Sequence, residues 1–297
     1  MSAQFQKSFL FFAVFVRLFA IPLHAADLKP ETVTAFERYV RVTETEMEDD
    51  LRDDRFLIVD RLPESERRKV YGQLHQGQIF IQELHTREDR LPFRIPSGLV
   101  HHWAGVIFIP NATLAEVNAV LQDYRNEPSI YKPEIRQAKL IEQDGDKSKI
   151  FLQLYNKSII TVVLNGYFDV VATPLGSRRS EIASRSTRIV EVVNPGSTDE
   201  HERTDGVDHG YMWRMNSYWR IEEKDGGVYV QNQSISLTRT VPVLLAWLID
   251  PLTKSIPRDV LVHMLTDTQD AVLKAGAAPK PGGHQHLAPG LSTVPEN

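Results

Sequence analysis

The chain contains no cysteine in 297 residues. That absence excludes thiol catalysis, disulfide staples, iron–sulfur sites and a lipid anchor on an N-terminal cysteine. Charge of one sign is also scarce. A formal net charge of −5 leaves no electrostatic footprint for nucleic acid. There is no Walker loop, dinucleotide fingerprint, nucleophile elbow or internal repeat. The apolar run near the N-terminus is short: Arg17 interrupts it and Pro22 closes it, well below the ~20 residues that span a bilayer. What remains is an ordinary globular composition, 42% hydrophobic and 25% charged, in a chain long enough to hold itself together by its core alone.

The N-terminus carries a clear local pattern. Lys7 opens a short basic region, Ser8–Val16 is rich in phenylalanine, and Leu23-His24-Ala25 precedes Ala26. This is the layout of a secretory signal peptide over residues 1–25, with an uncleaved membrane anchor as the alternative. The expectation is an exported protein, periplasmic or secreted, with no stable membrane insertion after cleavage.

Residues 26–98 read as a mainly helical extension with one strand. Val33, Phe36, Val40, Met47 and Leu51 form an apolar stripe along a helix over Pro30–Arg52. A second helix follows Pro63, and QIFIQEL (78–84) looks like a strand. The principal domain spans 99–275. It opens with the strand VHHWAGVIFI (100–109), followed by a capping box at Thr113 and Glu116 that starts a helix. A broken helical region containing Pro128 and Tyr131-Lys132-Pro133 comes next, then strands near 134–142, 149–155, 159–173 and 179–193. A polar loop over 194–209 leads into a long hairpin. Pro251 is expected to interrupt a helical stretch begun at Val243, and Pro257 to start the last long helix, which carries Leu261, Met264, Leu265 and Thr268 on one face. The proline- and glycine-rich residues 276–297 read as a disordered tail.

The hairpin holds the most informative face. Tyr211, Trp213, Met215, Ser217, Trp219 and Ile221 alternate with Arg214, Asn216, Tyr218 and Arg220. A two-residue loop, Asp225-Gly226, pairs Trp213 with Thr238, Met215 with Ser236, Ser217 with Ser234, and Trp219 with Asn232. Mixing large aromatics with short hydroxyl and amide groups leaves room and keeps polar partners, as in a small-molecule pocket. The competing reading is plain core with serines near a solvated edge, and the sequence leaves both open.

A sheet of this size with one amphipathic helix buries a single face by curling round that helix. The fold class is therefore α+β, a helix grip: a curved antiparallel sheet of about six or seven strands around a long C-terminal helix, with the N-terminal extension added. The stretches HHWAGVIFIPNATLAEVNAVLQDY (101–124), Tyr131-Lys132-Pro133-Glu134 and MWRMNSYWRIEEKDGGVYVQNQSISLTRTVP (212–242) resemble the START-like (SRPBCC) superfamily, in phrasing its uncharacterised bacterial exported members. The resemblance implies a deep hydrophobic cavity that takes lipids, sterols or polyketides. It brings no invariant catalytic motif, cofactor or metal. On that reading the cavity is lined by Trp213, Met215, Ser217, Trp219, Asn232, Ser234, Ser236, Met264, Tyr131 and Trp103, and the partner is a hydrophobic small molecule or lipid.

Other candidates are weaker. Adjacent strand residues such as His101 and His102 point to opposite faces and do not share one ion. Asp208-His209 offers an acid–base pair at the loop end, and His284 and His286 a weak chelate in the tail. Arg214 and Arg220 share a face and are expected to pair across the outer sheet with the Arg/Glu alternation of 179–191. An enzyme of cyclase, aromatase or hydrolase type would draw on Tyr131, His102 or Arg214. An envelope interaction protein would dock through the Pro30–Arg52 helix.

Overall fold

The structure is a computed structural model and describes residues 28–88, 91–157, 161–204, 208–240 and 243–277. The expected signal segment (1–25) and the tail histidines His284 and His286 lie outside the described residues.

Helix α1 (Pro30–Arg52) starts on a proline, whose fixed φ suits a first turn, with Glu31 beside it at the positive end of the helix dipole. A 3-10 turn (Ile58–Arg61) and α2 (Glu64–His75) follow. Strand β1 (Phe80–Glu83) is succeeded by a small ribbon of β2 (Arg87–Glu88) and β3 (Leu91–Pro92). Then come β4 (Gly98–Pro110), α3 (Leu114–Leu121), α4 (Glu127–Ile130), β5 (Ile135–Asp144), β6 (Lys147–Lys157), β7 (Thr161–Pro174), β8 (Arg179–Val193), β9 (His201–Glu202), β10 (Arg214–Lys224), β11 (Gly227–Arg239) and α5 (Val243–Ala277). The capping box forms as expected, with Thr113 Oγ1 accepting from the Glu116 amide and Glu116 from the Thr113 amide.

The sheet has nine strands in the order β1-β4-β11-β10-β8-β7-β6-β5, with β9 beside β8. All its pairs are antiparallel. Strand β1 belongs to the extension yet closes one edge of this sheet against β4. Helix α5 crosses the inner face, and Gly105 lets it approach. A Cβ there would lie 2.6 Å from Leu265 Cδ1 and 2.6 Å from Ile81 Cδ1. Leu261, Leu265, Thr268 and Val272 are its buried face. The helix differs from expectation at its start. It runs unbroken for 35 residues through Pro251 and Pro257, because each proline removes a single amide donor and a long helix tolerates that loss. At its far end it continues to Ala277, past the expected tail boundary at Gly276.

The outer face of the sheet is the unusual layer. In an antiparallel sheet this side commonly meets water, but here α1, the 3-10 turn and α2 cover it. Phe56, Leu57, Val59, Val70 and Leu74 pack on Ala104, Val106, Phe108 and Tyr229. Phe36, Tyr39, Val40 and Met47 pack on Tyr218, Ile235 and Leu237. Polar groups are sealed in between. Arg220, only 3% exposed, binds Glu181 Oε1 at 2.5 Å and donates to the carbonyls of Phe56 (3.0 Å) and Met47 (2.9 Å). Gln231 accepts from the Ile58 amide at 2.6 Å. Glu44 accepts from Tyr218 and Arg185. Arg220 thus pairs with Glu181 of β8 as expected, whereas Arg214, expected to do the same, donates to the Trp213 carbonyl. Unexpectedly, it also fastens the extension to the sheet.

Removing a buried, fully engaged charge leaves its partners unsatisfied. Arg220→Ala is expected to lower unfolding free energy by about 3–5 kcal/mol. Urea denaturation measures this, and hydrogen exchange should show α1 amides near Met47 losing protection before those of β10.

Candidate ligand-binding site

The hairpin loop is Asp225-Gly226, both at positive φ (57° and 78°), with Lys224 opposite Gly227. That fixes the register: Met215 faces Ser236, Ser217 faces Ser234, and Trp219 faces Asn232, as the sequence indicates. These odd positions of β10 and even positions of β11 lie on the inner face, in line with Gly105 beneath α5.

Extending the rows across the sheet shows how the face is made. One row runs Trp103, Ser234, Ser217, Ser184, Val170, Ser148. The next runs His101, Ser236, Met215, and Ser186, whose Oγ accepts from the Met215 amide at 2.9 Å, and passes on to Phe168 and Ile150. A band of hydroxyls therefore crosses four strands, bordered by Trp103, Trp219, Met215 and Phe168. Asn232 donates to Ser217 Oγ at 2.8 Å and holds the middle of the band. Sequence reading missed Ser184 and Ser186. Their signal was the period-two pattern Ser180, Ile182, Ser184, Ser186 within β8.

Burial is inverted at this band. Asn216, Tyr218, Arg220, Gln231, Gln233 and Ile235 on the outer face are buried. Their inward neighbours Trp103, Met215, Ser184, Ser186 and Ser234 are only half-buried, as is Met264 on α5. Close-packed interiors leave no such exposure. These positions are less tightly covered than the hydrophobic end around Ile107, Ile109, Ile221, Val228 and Val230, whereas Ser217, Asn232 and Ser236 of the same band are buried. Trp103 Nε1 is buried with no hydrogen-bond partner among the described residues. An indole is a donor only, and leaving it unmatched costs about 1–3 kcal/mol.

Three expectations change. Trp213 does not face this space. It packs in the outer cluster with Phe36, Tyr39 and Met47, and its Nε1 donates to Asp208. It precedes the first ladder residue, Arg214, so the strand's alternation does not govern it. Arg185 and Arg188, whose three-residue spacing puts them on opposite faces of a regular strand, both point outward, to Glu44 and Glu202 respectively. A β-bulge between Ser186 and Arg188 resets the alternation. Glu191 was not anticipated: its carboxylate, with a 7%-exposed side chain, takes His209 Nδ1 at 2.6 Å and the His209 amide at 2.7 Å, clamping the loop to β8. Asp208 instead holds the Gly210 amide and Trp213, so the expected Asp208–His209 pair does not form.

Tyr131 is buried within the molecule, its hydroxyl 3.1 Å from Thr268 Oγ1 on α5. His102 faces outward, between Tyr39 Oη (2.9 Å) and Gln233 Nε2 (2.8 Å). Arg214 donates to the Trp213 carbonyl. His101 does face inward, but its Nε2 contacts Thr238 rather than Ser236, so that serine has no base to activate it. Among the described residues there is no group of three or more His, Asp or Glu able to hold a metal, and no helix long and apolar enough to cross a membrane.

The seven strands β4–β8, β10 and β11 lie across one long C-terminal helix, with α3 and α4 inserted after the first of them. The architecture is an α+β helix grip. No family model matches the chain, and no curated protein does. Solved structures do. The Zhui aromatase/cyclase from Streptomyces sp. R1128 is 12% identical over 61% of this chain and 98% of its own, with a TM-score of 0.44. A STAR-related lipid transfer protein from Xanthomonas axonopodis is 14% identical over 65% and 98%, at 0.42. Human STARD10 is 10% identical over 73% and 82%, at 0.41.

Burial holds both histidines of β4 neutral, pushing His101 down to about 4 and His102 to about 3. The unfolded chain binds these protons near the usual value of about 6.5. Stability conferred by the neutral rings is therefore complete above that pH and drains away as pH falls towards 4. Thermal melts between pH 7 and 4 should show this decline, and His102→Gln should flatten part of it.

Proposed function

We propose that this chain binds an amphipathic small molecule or lipid between the inner sheet face and α5. The observation that carries the reading is an inward row of serines, of which Ser184, Ser186 and Ser234 are half-buried, beside a buried, unpartnered Trp103 Nε1. A ligand oxygen placed at Trp103 and Ser234 would satisfy that donor and take further hydrogen bonds from the serine row. Its apolar part would lie along Met215, Trp219, Phe168 and Met264, gaining about 0.8 kcal/mol for each methylene removed from water. The aromatics supply area and the serines supply orientation, the usual division of labour in such pockets. Ligand transfer between membranes is compatible with this chemistry. Catalysis has less support, since the inward-facing serines lack a neighbouring base.

Export belongs to the same proposal. Residues 1–25 are read as a cleaved signal, so intact mass of the protein from its host's periplasmic fraction should correspond to a chain starting at Ala26. A cytoplasmic, full-length product would reject that part.

Displacement of a fluorescent fatty acid, together with native mass spectrometry of protein from its own host, tests the binding. The wild-type chain is expected to bind the probe. Trp103→Phe, which keeps an aromatic ring but removes the Nε1 donor together with part of the indole's area, should weaken it at least about 2- to 12-fold, the equivalent of one hydrogen bond. A chain that neither carries nor takes up any hydrophobic probe would overturn the reading.

A further inference from the structure

Between α3 and β5 the chain places a carboxyl group where nothing answers it. Glu127 on α4 is 9% exposed, and its Oε2 is buried without a hydrogen-bond partner among the described residues. Two tyrosines flank it in sequence and reach into the interior. Tyr124, 7% exposed, is hydrogen-bonded to Ser148 on β6, which lies at the end of the hydroxyl row described above. Tyr131 reaches Thr268 on α5. Glu127 acts electrostatically on both rings. The charge that acts on Glu127 itself is that of Asp123, of like sign. From α5, Asp267 faces Tyr131, and His263 is engaged with Glu134 at 2.8 Å. The charged neighbour acting on Glu127 is thus another carboxylate, the two tyrosines lie within its electrostatic reach, and no cation is set against it.

Buried ionisable groups are normally paired, because an uncompensated charge in a low-dielectric interior is strongly unfavourable. Glu127 avoids that penalty by staying protonated: burial first, and Asp123 second, push its carboxyl up to about 8. A carboxyl group beside aromatic faces is the donor set that recognises an ammonium group, through a charge-assisted hydrogen bond and cation–π contact. Resting on the amphipathic-ligand reading, we infer that Glu127, with Tyr124 and Tyr131, forms a second polar anchor in the interior that takes the ammonium group of an amine-bearing lipid or long-chain amine. Near neutral pH the amine enters as a cation, the Glu127 O–H bond breaks, the proton goes to solvent, and a carboxylate–ammonium pair remains. Binding of the amine is therefore coupled to release of one proton, and binding of an uncharged homologue is not.

The test compares dodecylamine, 1-dodecanol and dodecanoate on the full chain by titration calorimetry at pH 6.5, in two buffers of different ionisation enthalpy. The expected result is that dodecylamine binds about 10- to 100-fold more tightly than dodecanol, the range of a hydrogen bond to a charged group, with close to one proton released per amine. Glu127→Gln should abolish the release and the preference while leaving dodecanol binding unchanged, which also reports an intact interior. Equal binding of amine and alcohol with no proton release would overturn this inference and leave the proposed cavity standing. Failure of all three probes would remove the cavity reading, and this inference with it.

Discussion

One guanidinium organises the molecule. Arg220 projects from the middle of the sheet's outer face into the buried layer beneath the extension, and three separate parts of the chain satisfy it: Glu181 on β8, the carbonyl of Met47 in α1 and the carbonyl of Phe56 before the 3-10 turn. A planar group with donors in fixed directions can only be matched by acceptors in fixed places. The position of the extension on the sheet is thereby set to within hydrogen-bond tolerance. Gln231 and the Glu44 contacts repeat the device on either side. Without that cover, β10 and β11 would present a sheet face too apolar at Ile235 and Leu237 for water and too polar at Arg220 for a dry core.

Fixing the outer layer leaves the inner layer free to be imperfectly packed. The half of the inner face lined by isoleucine and valine is filled by α5 and α3, and it holds the helix in place. The serine-bearing half is covered less completely, at Trp103, Met215, Ser184, Ser186 and Ser234. Binding as proposed would depend there on single polar atoms. Trp103 Nε1 and Glu127 Oε2, a donor and an acid at two places on the interior wall, are unmatched among the described residues.

Much of this was legible in the sequence, and where it was not the reasons are physical. The hairpin register was readable because Asp225-Gly226 admits one tight turn and strand side chains alternate strictly. From it followed the inward placement of Met215, Ser217, Trp219, Asn232, Ser234 and Ser236. The same rule failed one residue outside the ladder, at Trp213, and again at the bulge before Arg188, where no glycine or proline announced the irregularity. Glu127 and Arg220 were illegible for a different cause. A charged residue on a short helix or an alternating strand looks solvated until a distant segment packs over it. Arg220 is covered by residues near 47 and 56, and Glu127 lies beside the end of the last helix.

The Arg220 and Gln231 bonds span 173 positions of the chain. The earliest segments to be synthesised are therefore held in place by some of the latest. Until β10 and β11 exist, α1 has an amphipathic stripe and no seat. Contacts so distant in sequence favour slow assembly, with apolar surface exposed meanwhile. A chain emerging N-terminus first must wait for its far end before its beginning can settle.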